Sequence, residues 1–439
     1  MAPNHGLVHA KTYDIKDSNV ELIGSDIDRR VKYASAATEP AWNNGVVGVQ
    51  PGLFVWRIED FQVVPVPSTD IGVFYDGDSY IVLHSYRLGR GGDSEGDGHA
   101  ENRPLGHDIF FWLGAHTSQD EAGTAAYKTV ELDAFLRDAA TQHRELQASP
   151  SAAFLALFPH RLTIRRGGVA TGFTHVTETV EAARAHKAVL LLLRVFQQPS
   201  RVGGGSGGSG GIVVHEVEPT PSSLDDDDVF VLDAGDTVYV WQGRHSRPRE
   251  KAAAAGVAED LRTPAHVNGV QVLAQDDGRA GTVVRLMAGE GASSSSSSSN
   301  ESSYRAARPL ASATPPSEPS ALRSAGGLRP QRLWRLSDAS GTLAFDLVKD
   351  GGGPPALADL DSNDVFLWDD AGCEVWVWEG RGASAGERAH WVSVTQAYMR
   401  HLHAGGGAGD NAHLTPVAKV REGHESPAFL RSLRTAAAY

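Results

Sequence analysis

Three aspartates and three glutamates carry the pattern in this chain that could do chemistry. Asp78, Asp228 and Asp364 each open an apolar, β-rich run, reading DSYIVL, DVFVL and DVFLW. A second apolar run follows each and closes on Trp-x-Gly, with tryptophans at Trp112, Trp241 and Trp378. Glu121, Glu250 and Glu387 then stand nine residues beyond those tryptophans in all three cases. In an antiparallel hairpin the start of the first strand lies beside the end of the second. Each Asp and the Glu that follows it therefore fall at the same end of their unit. Two carboxylates converging with backbone carbonyls make the hard oxygen environment that calcium favours. Filling such a site would pin a helix to a sheet, which is a route from cation binding to conformational change. The competing reading is local service. Ser118 and Glu121 fit a capping box, a first-turn Glu suits the helix dipole, and the four aspartates at 225–228 suit a solvated turn. Matched spacing in three copies favours the shared site.

The elements that position these acids form a repeat. From Asp to Trp the spacing is 13 and 14 residues in the second and third copies and 34 in the first. A polar insertion over residues 88–106, at a hairpin tip where insertions are tolerated, accounts for the surplus. In the second copy, residues 229–233 and 238–242 predict strands around a turn at 234–237. Helices are predicted over residues 119–138, 249–262 and 387–401. The first has Ala122, Ala126, Val130 and Leu136 near helical spacing on one side. The second ends near Pro264, and the third carries Trp391, Val394 and Tyr398. Each unit reads as a twisted sheet with a long helix packed on it.

Composition bounds the rest. A chain of 439 residues suggests two to four domains. Residues 203–211 read GGGSGGSGG, and residues 291–328 include seven consecutive serines and a Pro/Ala/Ser stretch, so both read as linkers. The net charge of −14 argues against nucleic-acid binding, which needs a basic face. The single Cys373 excludes an intrachain disulfide and fits a reducing, cytoplasmic setting. The polar N-terminus predicts no signal peptide, and the densest apolar run, at 189–193, is too short for a transmembrane segment. Residues 207–211 match G-x-S-x-G formally, but no strand precedes and no helix follows the serine, so no nucleophile elbow is expected. His401 and His403 lack a third ligand at zinc spacing. The chain is read as not an enzyme.

Five segments carry a resemblance. GLFVWRIEDFQVVPVP (52–67), GDSYIVLHSY (77–86), DIFFWLGAHTSQDEAGTAAYKTVELDAFL (108–136), QHRELQ (142–147) and RRGGVATGFTHV (165–176) closely resemble the first domain of the gelsolin family. The lead-in over residues 13–42 resembles the N-terminal extension of the three-domain severin and fragmin members. The resemblance implies an α+β architecture of three gelsolin-like domains, each a mixed central β-sheet packed between a long and a short helix. These would span residues 46–180, 188–290 and 329–436, after an extension at 1–45. It implies a calcium-dependent, monomeric cytoplasmic protein of the actin cytoskeleton that binds actin monomers and filaments, severs filaments, caps barbed ends and nucleates new filaments. Capping with little severing, and a calcium-dependent phospholipid adaptor, are the alternatives.

The same resemblance implies site residues. Calcium within the first domain would take the Gly77 and Val169 carbonyls with the Asp78 and Glu121 carboxylates. A calcium shared with actin would take the Asp133 carboxylate and the Asp138 and Ala140 carbonyls. Actin is itself acidic, so such a bridge would turn like-charge repulsion into a contact. In the second domain the ligands would be Asp227, Asp228 and Glu250, and in the third Asn363, Asp364 and Glu387. Tyr127, Val130 and Phe173 would join Asp133 in touching actin, against a core-packing alternative for Tyr127 and Phe173. Arg161, Arg165, Arg166 and Arg194 would face the filament side and anionic phosphoinositides. Two departures stand out. The second basic cluster is thinned to Arg201 before the Gly/Ser stretch, and Ala134 replaces an acid common beside Asp133.

Overall fold

The computed structural model describes residues 35–88, 104–168, 190–198, 210–288, 330–371, 374–405 and 415–434. The Gly/Ser stretch before residue 210, the serine-rich linker, Val169, Phe173, Arg201 and Cys373 lie outside the described residues.

Apolar runs bounded by turns become strands, and the same five-strand plan recurs three times. The first unit holds β1 (Gly52–Glu59), β2 (Gln62–Pro65), β3 (Val73–Tyr75), β4 (Ser79–Arg87), β5 (Leu105–Leu113), β6 (Ala140–Leu146) and β7 (Leu162–Arg165), with helices α1 (Gln119–Phe135) and α2 (Ala152–Ala156). The second holds β8 (Leu191–Gln197), β9 (Ile212–Val217), β10 (Val229–Asp233), β11 (Val238–Gln242) and β12 (Val270–Ala274), with α3 (Pro248–Leu261) and α4 (Gly281–Ala288). The third holds β13 (Arg332–Ser337), β14 (Ala344–Asp350), β15 (Val365–Asp369), β16 (Val375–Glu379) and β17 (Val417–Arg421), with α5 (Ala385–Gly405) and α6 (Pro427–Arg434).

Strand order is β2-β1-β4-β5-β6, β9-β8-β10-β11-β12 and β14-β13-β15-β16-β17. All pairs are antiparallel except the last of each unit, which is parallel. A parallel pair needs a crossover, and the long helix supplies it. On one face, α1 buries Ala125, Leu132 and Leu136 of its end against Ile81 and Ile109. In the same way α3 buries Ala254, Val257 and Ala258, and α5 buries Tyr398 and Met399. On the opposite face the short helices bring Phe154, Val283 and Phe429 against Trp112, Trp241 and Trp376 with Trp378. Each unit is thus the expected mixed sheet between a long and a short helix.

The inward stripe read from the sequence of α1 needs correction. Ala122, Ala126 and Val130 are only half-buried, whereas Ala125, Thr129, Glu131, Leu132 and Asp133 are buried. Polar side chains share the inner face, with Glu131 tied down by Ser35 and Lys128. Ser35 Oγ donates to Glu131 Oε1 at 2.7 Å, and Lys128 Nζ lies 2.9 Å from Glu131 Oε2. The helix also stops at Phe135 rather than 138, because Arg137 and Asp138 take left-handed φ values of 64° and 57°.

Two junctions join the units. β7 pairs in parallel with β9 and β3, completing a seven-stranded sheet across the first and second units. β17 pairs antiparallel with β6, with Val417 opposite Arg144, Ala418 opposite His143 and Lys419 opposite Gln142. That seam makes one ten-stranded sheet of the first and third units. Among the described residues no helix is long and apolar enough to cross a membrane.

Candidate functional site

The three aspartates sit where the two hairpin ends are sewn together. Gly114 N–H donates to the Asp78 carbonyl at 3.1 Å, Gly243 N–H to Asp228 at 2.9 Å and Gly380 N–H to Asp364 at 3.0 Å. Two residues further on, His116, His245 and Gly382 donate to the carbonyls of Asp76, Asp226 and Ser362 at 2.7–2.8 Å. A Cβ on Gly114, Gly243 or Gly380 would lie 2.8, 2.6 or 2.7 Å from the Asp78, Asp228 or Asp364 oxygen. The backbone approach leaves room for glycine alone. The Trp-x-Gly signature therefore does two things: its Trp fills the core and its Gly lets the site close.

The glutamates tie the helix start to the first strand. Glu250 accepts from the N–H of Arg247 at 2.7 Å and of Gln197 at 2.9 Å. Glu387 accepts from the N–H of Ser384 at 3.0 Å and of Asp338 at 2.9 Å. Gln197 and Asp338 stand at or just past the ends of β8 and β13, so the same clamp is built twice. In the first unit, Thr117 Oγ1 donates to Glu121 Oε2 at 3.1 Å and lies 2.7 Å from Ser79 Oγ. Ser118 caps α1 by accepting from Glu121 N–H. The Ser118 half of the capping reading thus holds, and all three carboxylates are buried: Glu121, Glu250 and Glu387 are 5%, 2% and 1% exposed.

Asp78, Asp228 and Asp364 are buried as well. Each meets an arginine from the neighbouring strand. Arg57 Nη1 lies 3.7 Å from Asp78 Oδ2. Arg194 Nε lies 2.5 Å from Asp228 Oδ2, with Nη2 in contact too. Arg335 holds Asp364 Oδ2 through Nε at 2.7 Å and Nη2 at 2.6 Å. Sequence reasoning missed this trio. Its signal was an arginine at one position of the first strand in every copy: WRIED, LRVFQ and WRLSD.

Electrostatics couples Asp228 to Glu250 and Glu387 to Asp364. Burial pushes the Asp228 carboxyl up to about 6, with Asp225 and Glu250 adding to the rise and Arg194 opposing it. Burial also raises Glu387, with Asp338 and Asp364 contributing, while the N–H groups of Asp338 and Ser384 oppose. Near the first unit's carboxylate, Gly77 N–H donates to the Gly167 carbonyl at 2.8 Å, and a Cβ on Gly168 would collide with Asp78 Oδ1. The backbone at Gly167 and Gly168 therefore lies against Asp78. Asp227 Oδ1 is 3.5 Å from His245 Nδ1, and the Asn363 N–H and Nδ2 both donate to Asp361 Oδ1.

Asp133, Asp138 and Ala140 come together in the turn after α1. Asp133 Oδ1 accepts from Ala140 N–H at 3.0 Å, Oδ2 from Gln142 Nε2 at 2.6 Å, and its carbonyl from Asp138 N–H at 2.8 Å. Burial pushes the Asp133 carboxyl up to about 6; Asp138 adds to this, while the Ala140 N–H and Lys419 oppose. Tyr127 is half exposed, which removes the core-packing alternative for it; Val130 is half-buried beside it.

The basic set needs one correction. Arg194 is 4% exposed, its guanidinium is committed to Asp228, and it presents nothing to a surface. Arg161, Arg165 and Arg166 are more accessible, but each is paired to an acid of the second unit: Asp260, Glu216 (2.7 Å) and Glu218 (2.6 Å).

Among the described residues no three or more His, Cys, Asp or Glu side chains group to hold a metal. A cation here would rest on two carboxylates and backbone carbonyls, an all-oxygen donor set suited to a hard ion. In the second and third units one buried acid of the pair is raised by burial and by its partner's charge, a strain that a divalent cation would relieve.

Fold and site together define a tandem-repeat protein in which a buried acid at a strand start and a buried acid at a helix start recur in every unit. The gelsolin repeat model matches residues 60–155 and 210–280. Gelsolin-like protein 1 of Lumbricus terrestris is 36% identical over 97% of this chain and 98% of that protein. Severin of Echinococcus granulosus is 34% identical over 82% of this chain and 84% of its own length. Gelsolin of Drosophila melanogaster is 31% identical over 90% of this chain and 43% of that protein. The chain belongs to the gelsolin family.

Proposed function

We propose that this chain is a calcium-dependent actin-binding protein that severs filaments and caps their barbed ends in the cytoplasm. The observation that carries the reading is the acid pair repeated in three units, in a chain with a relative named severin. In the first unit Asp78 and Glu121 would hold the ion with the Gly77 and Val169 carbonyls. Asp228 with Glu250 and Asp364 with Glu387 would do so in the others. Asp133, with Asp138 and Ala140, would hold a further ion against an acidic actin surface. Calcium, when bound, supplies the double positive charge that lets these buried carboxylates stay ionised side by side.

The chain's own residues do the rest. Asp78 anchors the sheet and Glu121 the start of α1, so charge neutralisation between them fixes the pose of the helix. Tyr127 and Val130 offer the outer face of α1 to actin. In the closed arrangement β17 lies along β6, with Lys419 and Arg421 beside Asp133 and Asp138. Separation of the third unit from the first would free those acids for actin.

Burial of Arg194 and the intramolecular pairing of Arg161, Arg165 and Arg166 favour a second reading, capping with little severing. The same pairings make phosphoinositide binding a competition with Asp260, Glu216 and Glu218. The test is dilution of pyrene-labelled filaments across a calcium titration, with filaments counted by microscopy. Severing predicts more filaments in calcium; slower subunit loss at constant number selects capping. No calcium-dependent change in either would sink both readings.

A further inference from the structure

We propose that Arg57, Arg194 and Arg335 are built-in counter-ions that set how tightly each acidic site takes a divalent cation, weakest in the second unit and strongest in the first. The inference rests on the reading of the acid pairs as calcium sites. It starts from register. Arg57 stands opposite Tyr80, Arg194 opposite Phe230 and Arg335 opposite Phe366, in each case two residues past the site aspartate. Three copies place a guanidinium at the same carboxylate oxygen, Oδ2.

A guanidinium there occupies a lone pair that a cation would use and puts a fixed positive charge beside an incoming double one. Buried charges are poorly screened, so the penalty grows with burial. Arginine stays protonated at any physiological pH, which makes the bias constant.

The three pairs differ in grip. Arg194 is almost wholly buried, bonds Asp228 through two nitrogens and lies 4.8 Å from the Phe196 ring centroid, so it has nowhere to swing. Arg335 grips Asp364 through two nitrogens, but its side chain is 40% exposed and can turn to water. Arg57 stands 3.7 Å from Asp78 and is already bonded to Glu59 at 2.7 Å, which draws its charge away.

The test is calcium titration by isothermal calorimetry on full chains in which the site aspartates of the other two units are Asn, so that one repeat site titrates at a time. Arg194→Met is expected to tighten the second site at least tenfold. Arg335→Met should tighten the third by less, and Arg57→Met should change the first by under threefold. Arg194→Gln, which keeps a donor but no charge, repeats the measurement should the Met variant not fold. Unchanged or weakened binding in both Arg194 variants, or equal effects in all three units, overturns the proposal. Adding Asp228→Asn to the single-site chain must abolish its binding; persistence of that binding refutes the calcium reading itself and the proposal with it.

Discussion

Arg421 of β17 and Asp138 in the turn after α1 lie 3.1 Å apart, Nη1 to Oδ2, across the seam that joins the third unit to the first. Both are about one-third exposed, so this pair alone contributes less than about 1 kcal/mol. It belongs to a network, however. Glu379 holds Lys419 at 2.7 Å, Arg421 at 3.3 Å and Arg388 at 3.4 Å, which fixes the basic side chains that face the first unit. Arg421→Glu would set a carboxylate against Asp138 and break the tie to Glu379. The expected result is a larger radius of gyration without calcium, read by small-angle X-ray scattering, and a few-fold lower calcium requirement on filaments. An unchanged radius would show that strand pairing alone holds the seam.

The glycines of Trp-x-Gly make a second prediction. A Cβ at position 243 or 380 meets backbone carbonyls rather than flexible side chains, so neighbours cannot yield cheaply. Gly243→Ala and Gly380→Ala should each cost about 1–3 kcal/mol in urea denaturation. Gly278→Ala, where nothing lies within 4 Å, should be nearly neutral.

These glycines also show what could be read before the structure. The hairpin Val229–Asp233 with Val238–Gln242 was legible because alternation and turn residues are local signals. The acid spacing was legible because three copies repeat it. The arginine partners were not, because Arg194 and Arg335 reach Asp228 and Asp364 over 34 and 29 residues of chain. Nor was the buried face of α1, where Ser35 satisfies Glu131 from 96 residues away. The β17–β6 seam leaves no periodic trace at all, since edge pairing depends on unpaired backbone rather than on side-chain pattern.

His143 sets a pH dependence on that seam. It is buried on β6, stacked on Phe110 at 4.3 Å and edge-on to Trp376 of the third unit at 5.9 Å. Asp108 on β5 and Glu374 just before β16 each lie 3.5 Å from its ring nitrogens, and Glu145 stands nearby on its own strand. Burial works against protonation, but contacts with Asp108 and Glu374 prevail and push its pKa up to about 10. A value raised above the ordinary ~6.5 stabilises the folded state fully below that ordinary value. The benefit is lost as pH climbs from there through 10. Denaturant unfolding between pH 6 and pH 10 should show declining stability, and His143→Gln should flatten the slope. A slope that persists in the variant would place the titration elsewhere.

Glu121 and Glu387 occupy matched positions but should respond differently to loss of charge. Glu387 accepts one backbone N–H on each oxygen, from Ser384 and Asp338. A glutamine amide keeps only one acceptor atom, so Glu387→Gln leaves one buried N–H without its partner, at a cost of about 1–3 kcal/mol. Glu121 Oε2 instead takes a hydroxyl proton from Thr117, which can rotate to serve another acceptor. For Glu121→Gln, losing that one contact should cost about 1 kcal/mol or less in calcium-free unfolding. Its main effect should be on calcium, weakening first-unit binding at least tenfold by calorimetry. Equal destabilisation by the two changes would mean that the helix–strand clamp operates in the first unit too, and that its glutamate is there for the fold before it is there for an ion.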